Sequence, residues 1–232
     1  GLTALSKVAP VYLGIGAKQT SKALTGAKDV EVNVFDGPCP AGNVGVQVNN
    51  IAPVNKGEVV WTVDPTAVIF FGRLFRTGKV DLRRLVAVAG SEITKPEYAE
   101  VLVGQPIADL LEGKLAAKDH VRIINGNPLT GRKATKDDFV GGHTSEITVI
   151  PEGDNVDEML GWILPRTNDF SVSRSYFSWL FGKNKEYALD ARVKGGERHM
   201  IMSGEYDKVL PMDIYAEYLI KAIIAGDIDR ME

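Results

Sequence analysis

The chain is short of several things, and each shortage removes a class of function. Among its 232 residues there is one cysteine, Cys39, and there are three histidines. A single cysteine excludes an internal disulfide and any all-cysteine zinc or iron–sulfur site. It fits a reducing compartment. His120, His143 and His199 lie far apart in sequence, and none has a ligand spacing such as HxxxH. No metal site is therefore expected. Positive charge is not in excess: the net charge is −3, and no basic stripe marks a nucleic-acid face. No apolar run approaches the roughly 18–20 residues that span a bilayer. The longest candidates, Ala67–Gly72 and Ile214–Ala225, are short or interrupted by charge. The start, G-L-T-A-L-S-K, has neither the basic n-region nor the apolar h-region of a secretory signal. Internal repeats, low-complexity segments, nucleophile elbows and Walker loops are not found.

What is present is the composition of a globular protein. Apolar residues make up 44% and charged residues 25%, enough to bury a core without staples. The length suits one large domain or two small ones. The chain begins inside an apparent helix without an initiator Met and ends at Met231-Glu232 with no closing element. It is expected to be a fragment of a longer protein.

The first third alternates helix and strand. Leu2–Val8 and Thr20–Leu24 read as short helices, and Val11–Ile15 and Val30–Phe35 as strands. After a loop rich in Gly and Asn, Glu58–Val63 reads as another strand. The best helix signal follows it, with Asp64 as N-cap, Pro65 at the first helical position, apolar residues at 68, 71 and 75, and Gly78 beyond the end. Such alternation predicts parallel βαβ units.

From Leu85 the style changes. Val86–Ala89 and Ala99–Val103 read as strands around a turn at Gly90–Pro96. Pro106 opens a compact helix with an apolar face at 107, 110 and 111, and Gly113 stops it. Val121–Ile124 and Ile147–Ile150 are further strands. The order β-β-α-β-β within about 65 residues suits a β-grasp module. Beyond Pro151, Met159–Leu164 is apolar and Tyr176–Phe181 is an aromatic cluster beside Arg174 and Lys183. Ala188–Val193 and His199–Met202 are expected to pair around Gly195-Gly196. Asp213–Ala225 reads as an amphipathic helix with Ile214, Tyr218 and Ile223 near helical spacing.

Three places invite a functional reading. Gly14-x-Gly16 with Asp36 about 20 residues on could open a dinucleotide fingerprint. Gln19 stands where the third glycine belongs, so a plain turn is the default. Asp36, Gly37, Pro38 and Gly42, at the carboxyl end of a strand, either frame a ligand crevice or form a structural turn with Asp36 bonding its own backbone. Phe177, Trp179 and Phe181, with Arg174 and with Arg198 downstream, suit a contact with another subunit or with a quinone headgroup. The alternatives are a packed corner for the rings and surface ion pairs for the arginines.

Several blocks, in order, resemble the NqrA family, one of the subunits of the Na+-translocating NADH:quinone reductase. They are V-N-V-F-D-G-P-C-P-A-G (32–42), F-G-R-L-F-R-T-G (71–78), V-A-V-A-G-S-E-I-T-K-P (86–96), I-T-V-I-P-E-G (147–153), G-W-I-L-P (161–165), F-S-V-S-R (170–174), G-G-E-R (195–198) and L-P-M-D-I (210–214). The first departs from the family pattern at Cys39, where a His is expected, so Cys39 is given no role.

The resemblance implies a Rossmann-like part (1–84), a β-grasp module of the soluble-ligand-binding type (85–152) and a connecting β-hairpin and amphipathic helix region (153–232). It implies a peripheral subunit on the cytoplasmic side of the bacterial inner membrane. Such a subunit works beside a membrane subunit in a complex that oxidises NADH, reduces ubiquinone and moves Na+. It carries no tightly bound cofactor; NADH and flavins belong to other subunits. A non-catalytic scaffold of this complex, or of the related Rnf electron-transfer complex, is the alternative.

Overall fold

The computed structural model describes residues 1–154, 164–170, 176–181, 185–192, 199–210 and 212–231. The chain divides into two compact units, Gly1–Asp81 with Arg198–Glu232, and Leu82–Glu197.

In the first unit the order is α1 (Leu2–Leu5), β1 (Tyr12–Gly16), α2 (Lys22–Thr25), β2 (Glu31–Phe35), α3 (Val44–Ile51) and α4 (Pro65–Thr77). A one-turn 3-10 helix, Cys39–Gly42, sits between β2 and α3. Strands β1 and β2 pair in parallel, Tyr12 opposite Glu31 through Gly16 opposite Phe35. Parallel pairing requires a crossover, which α2 supplies. The α4 signal is read correctly from sequence. Asp64 accepts a hydrogen bond from the Ala67 amide at 2.7 Å, and Gly78 adopts the left-handed conformation, φ 68°, that glycine tolerates.

Two expectations in this unit fail. Glu58–Val63 forms no strand: among the described residues nothing pairs with it, and β-propensity without a neighbouring ladder fixes no strand. Part of the preceding loop is helix α3, whose Val44, Val48 and Ile51 recur at helical spacing beneath the Gly and Asn content. On α4, which forms as expected, Phe71 and Phe75 are exposed.

The second unit holds β3 (Arg83–Ala89), β4 (Glu97–Leu102), α5 (Ile107–Leu111), β5 (Val121–Asn125), β6 (Arg132–Ala134) and β7 (Glu146–Pro151). The sheet order is β4-β3-β7-β5-β6, with β3 and β7 parallel at the centre and the other pairs antiparallel. Period-two alternation puts Val86 and Val88 into the core while Leu85 faces out. Ile107, Leu110 and Leu111 of α5 close the core against Val101, Ile147 and Val149. Gly90 is obligatory at the end of β3. Its φ is 120°, and a Cβ there would stand 2.0 Å from the Val149 carbonyl oxygen. Strand β6 escapes the sequence reading because three residues, R-K-A, carry no periodicity.

Beyond β7, Phe177–Phe181 is a 3-10 helix, and α6 (Ala216–Ala225) ends at Gly226 in the left-handed conformation. The expected hairpin is not formed by its described residues. Ala188–Arg192 and His199–Met202 are irregular, and the Ala191 amide donates instead to the Pro151 carbonyl. The Gly195-Gly196 turn lies outside the described residues. Helix α6 starts later than expected and buries a different face. Ala216, Glu217 and Ala222 are inside, whereas Ile214, Tyr218 and Ile223 are exposed. Buried Glu217 is satisfied by the Ser203 amide and hydroxyl, both at 3.1 Å, and by the Gly204 amide at 2.7 Å. A charge that finds such donors overrides a weak apolar stripe.

Candidate functional site

The carboxyl edge of the parallel pair carries the first candidate. Asp36 directly follows β2, and Gly37, Pro38 and Gly42 surround the 3-10 turn, closed by the Ala41 amide donating to the Pro38 carbonyl at 2.9 Å. All four candidates are exposed. The edge is where α/β folds present ligand groups. Gly14 and Gly16 are the last alternate residues of β1 rather than a separate turn. A Cβ on Gly14 would meet Gln47 Oε1 at 2.2 Å, so α3's side chain explains this glycine without a ligand. Gln19, in place of the third glycine, accepts from the Ser21 amide at 2.9 Å. At the opposite, amino-terminal edge a hollow of about 250 Å³ is lined by Ser6, Pro10, Tyr12, Asp29, Val30 and Glu31.

The aromatic turn is the second candidate. A hydrogen bond from the Phe177 amide to the Pro165 carbonyl, 3.0 Å, anchors the 3-10 helix, and Ser178 is buried beneath it. Phe177, Trp179 and Phe181 all lie on this short 3-10 helix, each between 51% and 62% exposed. Lys185 Nζ lies 5.5 Å from the Phe181 ring centroid and 5.6 Å from that of Tyr187. It also donates to the Thr167 carbonyl and Asn168 Oδ1, both at 2.7 Å. Arg166 stacks over Tyr176 at 5.5 Å and pairs with Asp169 at 3.0 Å. These two cations were missed from sequence; the available signal was Lys185 four residues after Phe181. Arg174 and Arg198 lie outside the described residues.

A network of charged side chains joins β5 to the residue just beyond β7. Arg122 holds Glu152 with two hydrogen bonds, and Lys133 Nζ adds a third at 3.1 Å. The Arg122 guanidinium, with help from Lys133 and against partial burial, holds the Glu152 carboxyl down to about 2. His120 Nδ1 lies 2.9 Å from Asp154 at the same end. These pairs fasten the start of β5, with β6, to the segment just beyond β7. Among the described residues, no group of three or more His, Cys, Asp or Glu could hold a metal ion. Nor is any described helix long and apolar enough to cross a membrane.

Comparison with known proteins defines the class first. Residues 1–80 match the family model described as the NqrA second alpha/beta domain, and residues 85–136 match the NQRA C-terminal domain. Both belong to a mixed α/β subunit of a reductase. The NqrA subunit of the Na(+)-translocating NADH-quinone reductase from Vibrio atlanticus is 35% identical over 233 residues, covering 100% of this chain and 52% of the relative. Its counterpart from Neisseria meningitidis serogroup C is 36% identical over 207 residues, covering 89% of this chain and 46% of the relative. The Vibrio anguillarum protein, with the same name, is 35% identical over the whole chain. The chain belongs to the NqrA family of Na(+)-translocating NADH-quinone reductase subunits. It spans about half the length of the curated relatives it matches.

Proposed function

We propose that this chain works as part of a peripheral subunit on the cytoplasmic face of the bacterial inner membrane. The subunit docks on a membrane partner of the Na+-pumping NADH:ubiquinone oxidoreductase and contributes to ubiquinone binding and reduction. It holds no tight cofactor of its own, with NADH and flavins handled by other subunits. The observation that carries the reading is the exposed aromatic turn. Phe177, Trp179 and Phe181 are exposed on one anchored 3-10 helix, with Lys185 beside the Phe181 ring. Rigid aromatic anchors next to a cation suit a partner surface or a planar quinone ring. Arg174 or Arg198 supplies the polar contact in this reading, and the loop of Asp36, Gly37, Pro38 and Gly42 is a separate candidate that frames a ligand crevice.

The architecture is read in the same terms. The parallel β1-α2-β2 unit supports a Rossmann-like part over 1–84. The five-stranded order with parallel central strands and α5 across one face supports a β-grasp module over 85–152. Residues 153–232 are the connecting region that carries the aromatic turn and α6.

Titrating the isotope-labelled chain with a short-chain ubiquinone tests this by amide shifts. Saturable shifts confined to 165–187 support a quinone contact in this chain. Trp179→Ala supplies the second arm, read as assembly and quinone reduction in the reductase. Unchanged assembly and turnover would remove the proposal. Lost assembly without any quinone shift assigns the turn to subunit docking alone.

A further inference from the structure

We infer that Arg84 is the receptor for the carboxylate of a small ligand, which enters beside the turn at 141–144. The alternation that buries Val86 and Val88 also directs Arg84 to the core face of β3. Only 6% of the residue stays exposed. Arg83, on the opposite face, is exposed and pairs with Glu100 at 3.3 Å. Arg84 makes one hydrogen bond, from Nη1 to the Gly142 carbonyl. Its Nε is buried without an acceptor. Among the described residues, no other buried side-chain nitrogen or oxygen is left in that condition.

A buried guanidinium with no counter-charge opposes folding unless something binds it. The segments at this end of the sheet offer no counter-charge. The Gly104 amide donates to the Val140 carbonyl at 2.8 Å, and the Val140 amide to the Gln105 carbonyl at 2.9 Å. This joins loop 103–106, V-G-Q-P, to segment 139–145, F-V-G-G-H-T-S, and neither holds a carboxylate. Asp138, just before, is already engaged: its Oδ2 accepts from the Thr135 amide at 2.6 Å and the Thr135 hydroxyl at 3.0 Å. Buried Thr144 is satisfied too, accepting from the Gly141 amide and donating to Asn125 Oδ1, both at 3.0 Å.

The ligand class follows from the guanidinium edge. Nε and Nη2 form one side of the planar fork, and that same side of Arg122 holds both oxygens of Glu152 in this sheet. Arg84 engages only Nη1, so its matching side suits a planar group with two oxygens. So little of the residue is exposed that a small molecule fits better than the surface of a second protein. The covering turn is pinned at its base through Thr144. Its tip is free to give way, because Gly142 and His143 are exposed and a Cβ on Gly142 would meet nothing within 4 Å. Movement of that tip opens the path to Nε. The inference does not depend on quinone binding.

The test follows the Arg84 Nε–H signal and the backbone amides of the isotope-labelled full chain by NMR. Sodium acetate replaces sodium chloride at constant ionic strength, and inorganic phosphate is titrated separately. Acetate should give a saturable shift of the Arg84 Nε–H together with the Gly142 and His143 amides. Arg84→Lys keeps the charge and loses the fork, and should weaken acetate binding by about tenfold or more. Arg84→Gln should abolish it. Unmoved Val86 and Val149 amides show that the sheet is intact in each variant. Should a variant lose the sheet, the unaltered chain decides by where its shifts fall. Four results overturn the inference: shifts that grow linearly with either salt, saturable shifts away from Arg84, acetate affinity unchanged in Arg84→Lys, and saturation by phosphate but not by acetate.

Discussion

Arg122 grips Glu152 side-on through two guanidinium nitrogens, Nε donating to Oε2 at 2.9 Å and Nη2 to Oε1 at 2.6 Å. This bidentate geometry links β5 to the residue just beyond β7 and adds direction as well as charge. The carboxyl is held down to about 2 against an ordinary 4.5. A lowered folded-state value means that the stabilisation is complete above about 4.5 and is lost as pH falls toward 2. A double-mutant cycle with Arg122→Ala and Glu152→Ala should give a coupling of about 0.5–1 kcal/mol at about pH 7, because both groups remain partly solvated. The coupling should shrink as pH falls from about 4 to about 2. Urea unfolding at several pH values checks this, and a pH-independent coupling would refute it.

The backbone at Gly90 admits no side chain. With φ at 120° and the Val149 carbonyl oxygen in the space of a Cβ, Gly90→Ala should destabilise the β-sheet unit by more than about 2 kcal/mol. Gly42→Ala meets open space at φ outside the left-handed region and should change stability by less than about 0.5 kcal/mol. Thermal unfolding of the two variants decides the matter.

Helix α4 depends on its cap. Asp64→Ala removes the acceptor for the Ala67 amide and should cost about 1 kcal/mol, while Asp64→Asn should retain most of it. The cost should show in the exchange of α4 amides and leave those of β3 and β7 untouched.

Glu217 is a buried carboxylate that holds Ser203 and Gly204 through one oxygen. Glu217→Ala strands these donors and should cost about 2 kcal/mol. Loss of protection at the Ser203 and Gly204 amides is the specific readout; unaltered exchange there would contradict the assigned role.

Trp179 is about half exposed, so Trp179→Ala should shift the stability of the chain very little, by less than about 0.5 kcal/mol. A large loss of stability would mean that the ring is packing material, and the docking role would fall with it.

Much of this was legible in the sequence because the deciding forces are local. Asp64, Pro65 and Gly78 bound α4 through a cap, a fixed φ and a left-handed terminus. The alternation around Val86 and the spacing of Ile107, Leu110 and Leu111 set which faces go inward. Phe177, Trp179 and Phe181, clustered within five residues, fall on one short 3-10 helix. The ordered motifs were enough to identify the family.

Tertiary structure alone decided the rest, because those outcomes depend on partners distant in the chain. Glu58–Val63 has the composition of a strand, but a strand exists only where another ladder lies beside it. Ile214, Tyr218 and Ile223 have helical spacing, but the inward face of α6 went to Glu217, whose donors sit 13 and 14 residues earlier. Lys185 joined the aromatic turn through a carbonyl 18 residues away in the chain. The sequence by itself determined capping, periodicity and family, all of which are read over short spans or recognised as motifs. Only the folded chain determined which side chains meet, since burial and pairing are properties of neighbours in space.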